Sequence, residues 1–250
     1  MIILIFFIAH WYLSLFSQTF FLHRYAAHKM FLMSPFWEKF FFIFTGITQG
    51  SSYLSPYVYG VLHRMHHAFA DTEQDPHSPK YSSTAVVMFL KTWGIYNSIR
   101  TGKVPIEDRF TKGVPNWKSF DRFADSWITR LCWAAGYVLF YILFVPKGWE
   151  WMYLLLPFHF FMGPLHGVII NWYGHKVGYI NFKVNNTSMN LMPVDIFMMG
   201  EGYHNNHHQQ PSNPNFGFKW HELDPAYPII LILNALHIVK LKKNNDLNYM

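Results

Sequence analysis

The chain has 250 residues, 51% of them hydrophobic and 20% aromatic, and only 14% are charged, where an ordinary soluble domain carries about 25%. The formal charge of +6 is modest and no basic run alternates with aromatics, which excludes nucleic acid as a partner and leaves membrane lipids. Cys132 is the only cysteine, so disulfides within the chain and thiolate metal sites are excluded, and any metal must be held by nitrogen and oxygen.

Residues 1–22 form the first apolar segment, and a spanning helix needs ~20 such residues. No Lys or Arg precedes it and no small-residue cleavage site follows, so it reads as a retained membrane helix rather than a secretory signal. Phe31 to Gly60 is also apolar and aromatic. One crossing there would put the histidines on its two sides on opposite faces, and two crossings would need about 40 residues plus a turn. This segment is therefore expected not to cross, but to lie at the interface or pack beneath the site. Thr84 to Ile99 reads as a second interfacial helix, and residues 100–126 as a polar connection.

Trp127 to Val145, with Arg130 snorkelling at one end, and Trp151 to Trp172 are two further spans, over 127–145 and 151–172. Pro146-Lys-Gly-Trp-Glu150 is a tight turn between them, with Trp149 and Trp151 at an interface. Tyr227 to Leu241 is apolar but short, and is expected to pack on the polar part of the protein or lie on the membrane. Lys240, Lys242 and Lys243 are placed to meet anionic headgroups. The expectation is an all-α integral membrane protein, a single domain over 1–250. It has about three transmembrane helices, interfacial helices, and a helical cap made from 23–126 and 173–250. Twelve Lys or Arg lie between the first span and Trp127 and six from Lys176 onward, whereas the turn at 146–150 carries only Lys147. The cap is thus expected on the cytoplasmic side.

Three histidine clusters carry the chemistry: His23-Arg-Tyr-Ala-Ala-His28, His63-Arg-Met-His66-His67 and His204-Asn-Asn-His207-His208. On a helix, residues i, i+3 and i+4 share a face, so the second and third clusters each project three imidazoles together. The i, i+5 pair of the first cluster diverges by about 140° on a regular helix. It either serves different metals or sits on a locally distorted helix end. Asn171 and His175, spaced i, i+4 at the end of the third span, add a ninth imidazole and an amide that binds a metal directly or through water. Asp71, Glu73, Asp75 and Glu201 flank the clusters and are candidates for orienting ligating rings, with a purely solvated role as the alternative. His10, His77, His159, His166, His221 and His237 read as structural or exposed.

Nine imidazoles exceed one tetrahedral zinc and suit two metals with four or five ligands each. Imidazole accepts iron, copper, nickel and zinc. Iron is favoured, because an apolar substrate offers no carbonyl or phosphoryl group to polarise, and oxygen activation is what metals perform on unactivated C–H bonds. Zinc remains a substitute in recombinant protein.

With these motifs the chain resembles the membrane fatty acid desaturases, in particular a bacterial-type member of their acyl-CoA, stearoyl-CoA-like branch. His23 to His28 resembles the first histidine box of that family. His63 to His67 followed by Asp75-Pro-His77 resembles the second, and Gly200-Glu-Gly-Tyr-His204-Asn-Asn-His207-His208 the third. Asn171 to His175 and Trp220-His-Glu-Leu-Asp224-Pro225 also match. The resemblance implies a di-iron centre, with Asn171 linked through water. O2 and two electrons would remove two hydrogens from adjacent methylenes of an acyl chain, with Δ9 as the position to test, in fatty acid and lipid biosynthesis. It implies a cap over transmembrane helices and a narrow bent tunnel. Eukaryotic members have two spans before the first box and this chain has one, so three spans with the N-terminus outside are expected, in a bacterial inner membrane. With no fused heme domain, electrons are expected from a separate ferredoxin or b-type cytochrome with its reductase. The acyl carrier is expected to be coenzyme A, with a carrier protein or an intact lipid as alternatives. Lys103, Arg109, Lys112, Lys118 and Arg122 either meet a phosphorylated carrier or satisfy the charge bias. The competing readings are a hydroxylase or ketolase with the same boxes, and a histidine-rich metal transporter.

Overall fold

The computed structural model describes residues 1–242, so Lys243 lies outside the described residues. Three helical stretches are long and apolar enough to cross a membrane: Ile2–Ala27, Trp127–Phe144 and Glu150–Tyr173. The first begins as α1 (Ile2–Phe16) and continues as a π-helix over Ser17–Ala27, five residues beyond the expected end. The second is α7 (Trp127–Phe144), started by Ser126, whose hydroxyl accepts from the amide of Thr129 at 3.1 Å. The third is a 3-10 turn, Glu150–Leu155, then α8 (Leu156–Val168) and a π turn, Ile169–Tyr173. The expected turn between them closes with Trp149 N–H donating to Pro146 O at 3.0 Å.

Between the first two spans the chain forms β1 (Phe31–Met33), α2 (Pro35–Gln49), a 3-10 turn over Gly50–Ser52, α3 (Pro56–Phe69), α4 (Ala85–Arg100), α5 (Asp108–Thr111) and α6 (Lys118–Ala124). After the third span come α9 (His204–Gln209), α10 (Ala226–Ala235) and β2 (Val239–Leu241). Among the described residues the departures from an all-α fold are one antiparallel strand pair, Phe31 opposite Leu241 and Met33 opposite Val239, and isolated bridges that join Asn190 to Tyr179 and Tyr203. The apolar run from Tyr227 therefore splits into a helix and a strand, and the polar connection 100–126 contains two short helices.

Ser-Pro starts both α2 and α3. Ser34 and Ser55 cap them and the prolines occupy the first turn, where no N–H is missed. The segment from Phe31 to Gly60 turns back rather than crossing. Helix α2 buries Phe41 and Phe42 against Phe20 and Phe21 and leaves Phe36, Phe40, Ile43 and Ile47 exposed as an apolar stripe. Its end reaches Tyr137, ten positions into α7 from Trp127. Gly50 sits there at φ +51°, and a Cβ on it would lie 1.8 Å from the Tyr137 hydroxyl oxygen. Only glycine meets both demands. The carbonyls of Ser51 and Tyr53 then accept from Arg130, the latter at 2.7 Å, and α3 leads back toward the histidines. At the opposite end Ile3, Tyr141 and Met152 close the bundle.

Candidate metal centre

Nine histidines from four segments converge at the end of the bundle away from the 146–149 turn. His23, His28, His63, His67 and His207 form one group, and His66, His175, His204 and His208 the other. Within each group one ligand atom from every residue lies within 4.8 Å of the rest. The groups adjoin, with the His67 and His208 rings stacked at 4.5 Å.

The π-helix explains the first cluster. Hydrogen bonding from i to i+5 widens each turn, so residues five apart come to lie together. His28 N–H donates to His23 O at 3.1 Å, and both rings enter the same group. The helix end is distorted, and the pair serves one site rather than two. The second and third clusters do the reverse of what a shared face suggests. His63 and His67 go to the first group and His66 to the second, while His204 and His208 go to the second and His207 to the first. An i, i+3 and an i, i+4 neighbour lean to opposite sides of residue i, and two sites set side by side exploit that divergence.

Ring orientation tests whether the residues suit a metal. His23 Nδ1 lies 2.6 Å from Glu201 Oε2, His66 Nδ1 3.0 Å from Asp75 Oδ1, and His175 Nδ1 3.2 Å from the Thr187 hydroxyl with Asp71 Oδ1 at 3.7 Å. An acceptor at Nδ1 fixes the proton there and leaves the Nε2 lone pair facing inward. The Nε2 atoms meet one another: His23 to His207 at 3.0 Å, His28 to His63 at 2.8 Å, His67 to His207 at 2.9 Å, His66 to His208 at 3.2 Å and His175 to His204 at 3.0 Å. A proton on one ring can satisfy one neighbour, whereas four or five converging acceptors need a cation between them. The donor set fits two imidazole-bound metals, and five nitrogens exceed a closed tetrahedral zinc site.

Burial, then the neighbouring histidines, hold His28, His63, His67, His204, His207 and His208 well below the ordinary imidazole value, so they are neutral and ready to ligate. Burial opposes ionisation of Glu201, yet His23 Nδ1–H and the Arg24 guanidinium beside it hold its carboxyl below the usual range. Arg24 is fully buried. It donates to Asp224 at 2.6 Å, to Glu201 at 3.3 Å and to Pro214 O at 3.0 Å, and it stacks on Phe216 at 3.7 Å. Glu201 follows Gly200, whose φ of +89° lets the chain pass Asp224 where a Cβ would clash with its carboxylate at 2.4 Å.

Of the flanking acids, Glu201, Asp75 and Asp71 reach ligand-group rings, whereas Glu73 is exposed and pairs with no histidine among the described residues. Asn171 is half-buried and shares the wall of a small cavity with His23 and His63 of the first group and His204 of the second. Sequence reasoning missed Thr187 and Asn186, which reach His175 and His208 from the loop between the third span and α9, and it placed His77 among structural residues. His77 lies 4.4 Å from His66 with the rings tilted and makes a third possible set with His66 and Asp75, and burial lowers it to about 3. The sequence signal for it was its place in Asp75-Pro-His77.

An apolar cavity runs into this centre. Leu54, Leu62, Met88, Phe89, Trp93 and Tyr96 line it together with Gly163, Pro164 and Gly167, and its inner end is His63, His77 and Asn171. Fold and site together define a membrane-spanning helical protein with a histidine-rich centre that could hold metal and an apolar way into it. The sequence model of fatty acid desaturase matches residues 1–236, and the chain belongs to that family. It is 29% identical over 224 residues to the sn-1 stearoyl-lipid 9-desaturase of Synechocystis sp., covering 87% of this chain and 64% of that protein. The sn-1 stearoyl-lipid 9-desaturase of Anabaena variabilis is 28% identical, over 90% of this chain and 77% of its own length. Delta-9 acyl-lipid desaturase 2 of Arabidopsis thaliana is 30% identical, over 83% of this chain and 64% of its own length. The chain thus spans just under two thirds of the Synechocystis and Arabidopsis relatives.

Proposed function

We propose that the chain desaturates a fatty acyl chain at position 9, using O2 and two irons held by the nine histidines. The observation that carries this reading is the apolar cavity ending at His63 inside a cluster suited to two metals. Iron there would supply the oxidation: the saturated pair of carbons, O2, two electrons and two protons give the double bond and two waters. The chain's own residues do the rest. Leu54, Leu62, Met88 and Trp93 exclude water and hold the methylenes against the His63 end, so cavity shape chooses the carbon. Glu201, Asp75 and Thr187 keep the rings of His23, His66 and His175 turned inward. Asn171 would link to the second group through water, a reading supported by the small cavity it shares with His204.

Electrons come from a separate ferredoxin or b-type cytochrome with its reductase. The centre faces the cytoplasm from a bacterial inner membrane, which the twelve and six cations on its side of the spans support. The relatives' names fit position 9 and a lipid-borne chain, against the sequence expectation of a coenzyme A carrier. Total fatty acids from a host expressing the chain with a reductase and ferredoxin, compared by mass spectrometry with a host expressing His207→Ala, test the reading. A new monounsaturated acid absent from the variant is expected. A hydroxylated product would replace desaturation with oxygen insertion, and identical profiles would sink the proposal.

A further inference from the structure

Helix α8 is broken where it passes α4. Phe161 leaves helical geometry at φ −124° and ψ 19°, and Pro164 sits inside the helix. Proline has no N–H to give the carbonyl four residues back. That carbonyl, on Phe160, accepts instead from the Ser51 hydroxyl at 3.5 Å, and the His159 carbonyl accepts from the same hydroxyl at 3.3 Å. The break is therefore a satisfied feature of the fold rather than a defect. Beside it an open cleft separates α4 from α8, walled by Ala85, Val86 and Phe89 on one side and Phe161, Leu165 and Val168 on the other, with Pro164 at its base and no polar surface. Phe89, Pro164 and Val168 also line the inner cavity that ends at His63, so the cleft and the cavity adjoin at these three side chains.

The mouth opens onto an apolar surface. Val86, Leu90 and Phe161 are each at least 59% exposed around it. The cations that a phosphorylated soluble carrier would require, Lys103, Arg109, Lys112, Lys118 and Arg122, are all exposed, and none lines the cleft or the cavity. We propose that the acyl chain enters and leaves sideways from the bilayer through the cleft between α4 and α8, so that the substrate is a chain of an intact membrane glycerolipid whose headgroup stays at the membrane surface. A lipid tail gains nothing by exchanging one apolar surrounding for another. Entry then needs a dry route, which the polar-free cleft supplies as far as Phe89, Pro164 and Val168. The inference rests on the desaturase reading above.

The test uses the full chain in proteoliposomes with a reducing system, offered either stearoyl phosphatidylcholine or stearoyl-CoA. Wild type is expected to desaturate the phospholipid chain. Ala85→Trp and Leu165→Trp, which fill the rim, are expected to lower that rate on the order of 100-fold by barring the chain from its reacting position, with bound metal per chain unchanged. Leu139→Trp, on the exposed face of α7, should match wild type. Because a rim variant might misfold, wild type is also irradiated with a phosphatidylcholine bearing a diazirine near the middle of one acyl chain. Labelling of Phe89, Pro164 or Val168 is expected. Full activity in both rim variants, labelling confined to outward-facing residues, or turnover of stearoyl-CoA alone would each overturn lateral entry. Failure of wild type to desaturate either substrate would instead remove the desaturase reading on which it rests.

Discussion

Glu201 shows how much one carboxylate can fix. It accepts from His23 and Arg24, and through Arg24 it is tied to Asp224. Removing an orienting partner of a metal-bound histidine costs ~10–100-fold in metal affinity. Glu201→Gln and Asp75→Asn are expected to weaken metal binding by that range in chelator competition, and Glu73→Gln, exposed and unpaired with histidine, is expected to leave it unchanged. Equal losses in all three would show that charge near the site matters rather than ring orientation. The buried neutral histidines also set a pH dependence. Their folded values lie below the ordinary 6.5, so below that pH the unfolded chain binds more protons than the folded one, and stability falls as pH falls. Metal-free protein should melt at lower temperature at pH 5 than at pH 8, and a flat profile would contradict the buried neutral state. At this scale the sequence was informative about which histidines come together, because repeated spacing is local. It did not disclose their Nδ1 partners: Thr187 and Asn186 lie in a loop without periodicity, and only tertiary folding brings them to His175 and His208.

The elements that the sequence hid are those in which hydrogen bonding changes register. Helix propensity does not separate a π turn from an α turn, so the widened stretch Ser17–Ala27 was visible only as an awkward i, i+5 spacing. Likewise the division of His63, His66 and His67 between two groups follows from the placement of α3 against α9, which no single helix encodes. The turn at Gly50 is more legible in retrospect: Gly-Ser-Ser between two aromatic runs is a breaker signal. Gly50→Ala there combines positive φ with a clash against Tyr137. It is expected to cost about 2–3 kcal/mol by thermal or chemical unfolding. Tyr137→Phe in the same chain should recover part of that by removing the nearest atom. No loss in the single variant would mean that the turn does not hold α2 against α7.

For the whole molecule, parity and charge in the sequence anticipated three apolar helices with the histidines gathered at one end, because both arguments use only lengths and counts. Topology is tested by single cysteines in a Cys132→Ser background. Lys147→Cys, in the turn remote from the centre, and Lys103→Cys, on the exposed polar side, are expected to react with an impermeant maleimide from opposite faces of sealed vesicles. Reaction from the same face would break the three-span arrangement. What sequence could not convey is the long-range stitching: Arg24 meets Asp224, and β1 pairs with β2, only after the whole chain is in place.

That stitching dictates an order of biogenesis. Arg24 and Asp224 are 200 positions apart, and synthesis at ~5–20 residues per second separates their emergence by roughly 10–40 s. The first helix enters the membrane with its arginine uncompensated and His23 without neighbours. Neither group of histidines is complete until α9 has been made, because it brings His207 to the first and His204 and His208 to the second. Metal loading is therefore expected to be a late event, performed on an inserted and nearly finished protein, and a ribosome stalled before Glu201 would leave a chain with six of the nine histidines and no means of closing the centre.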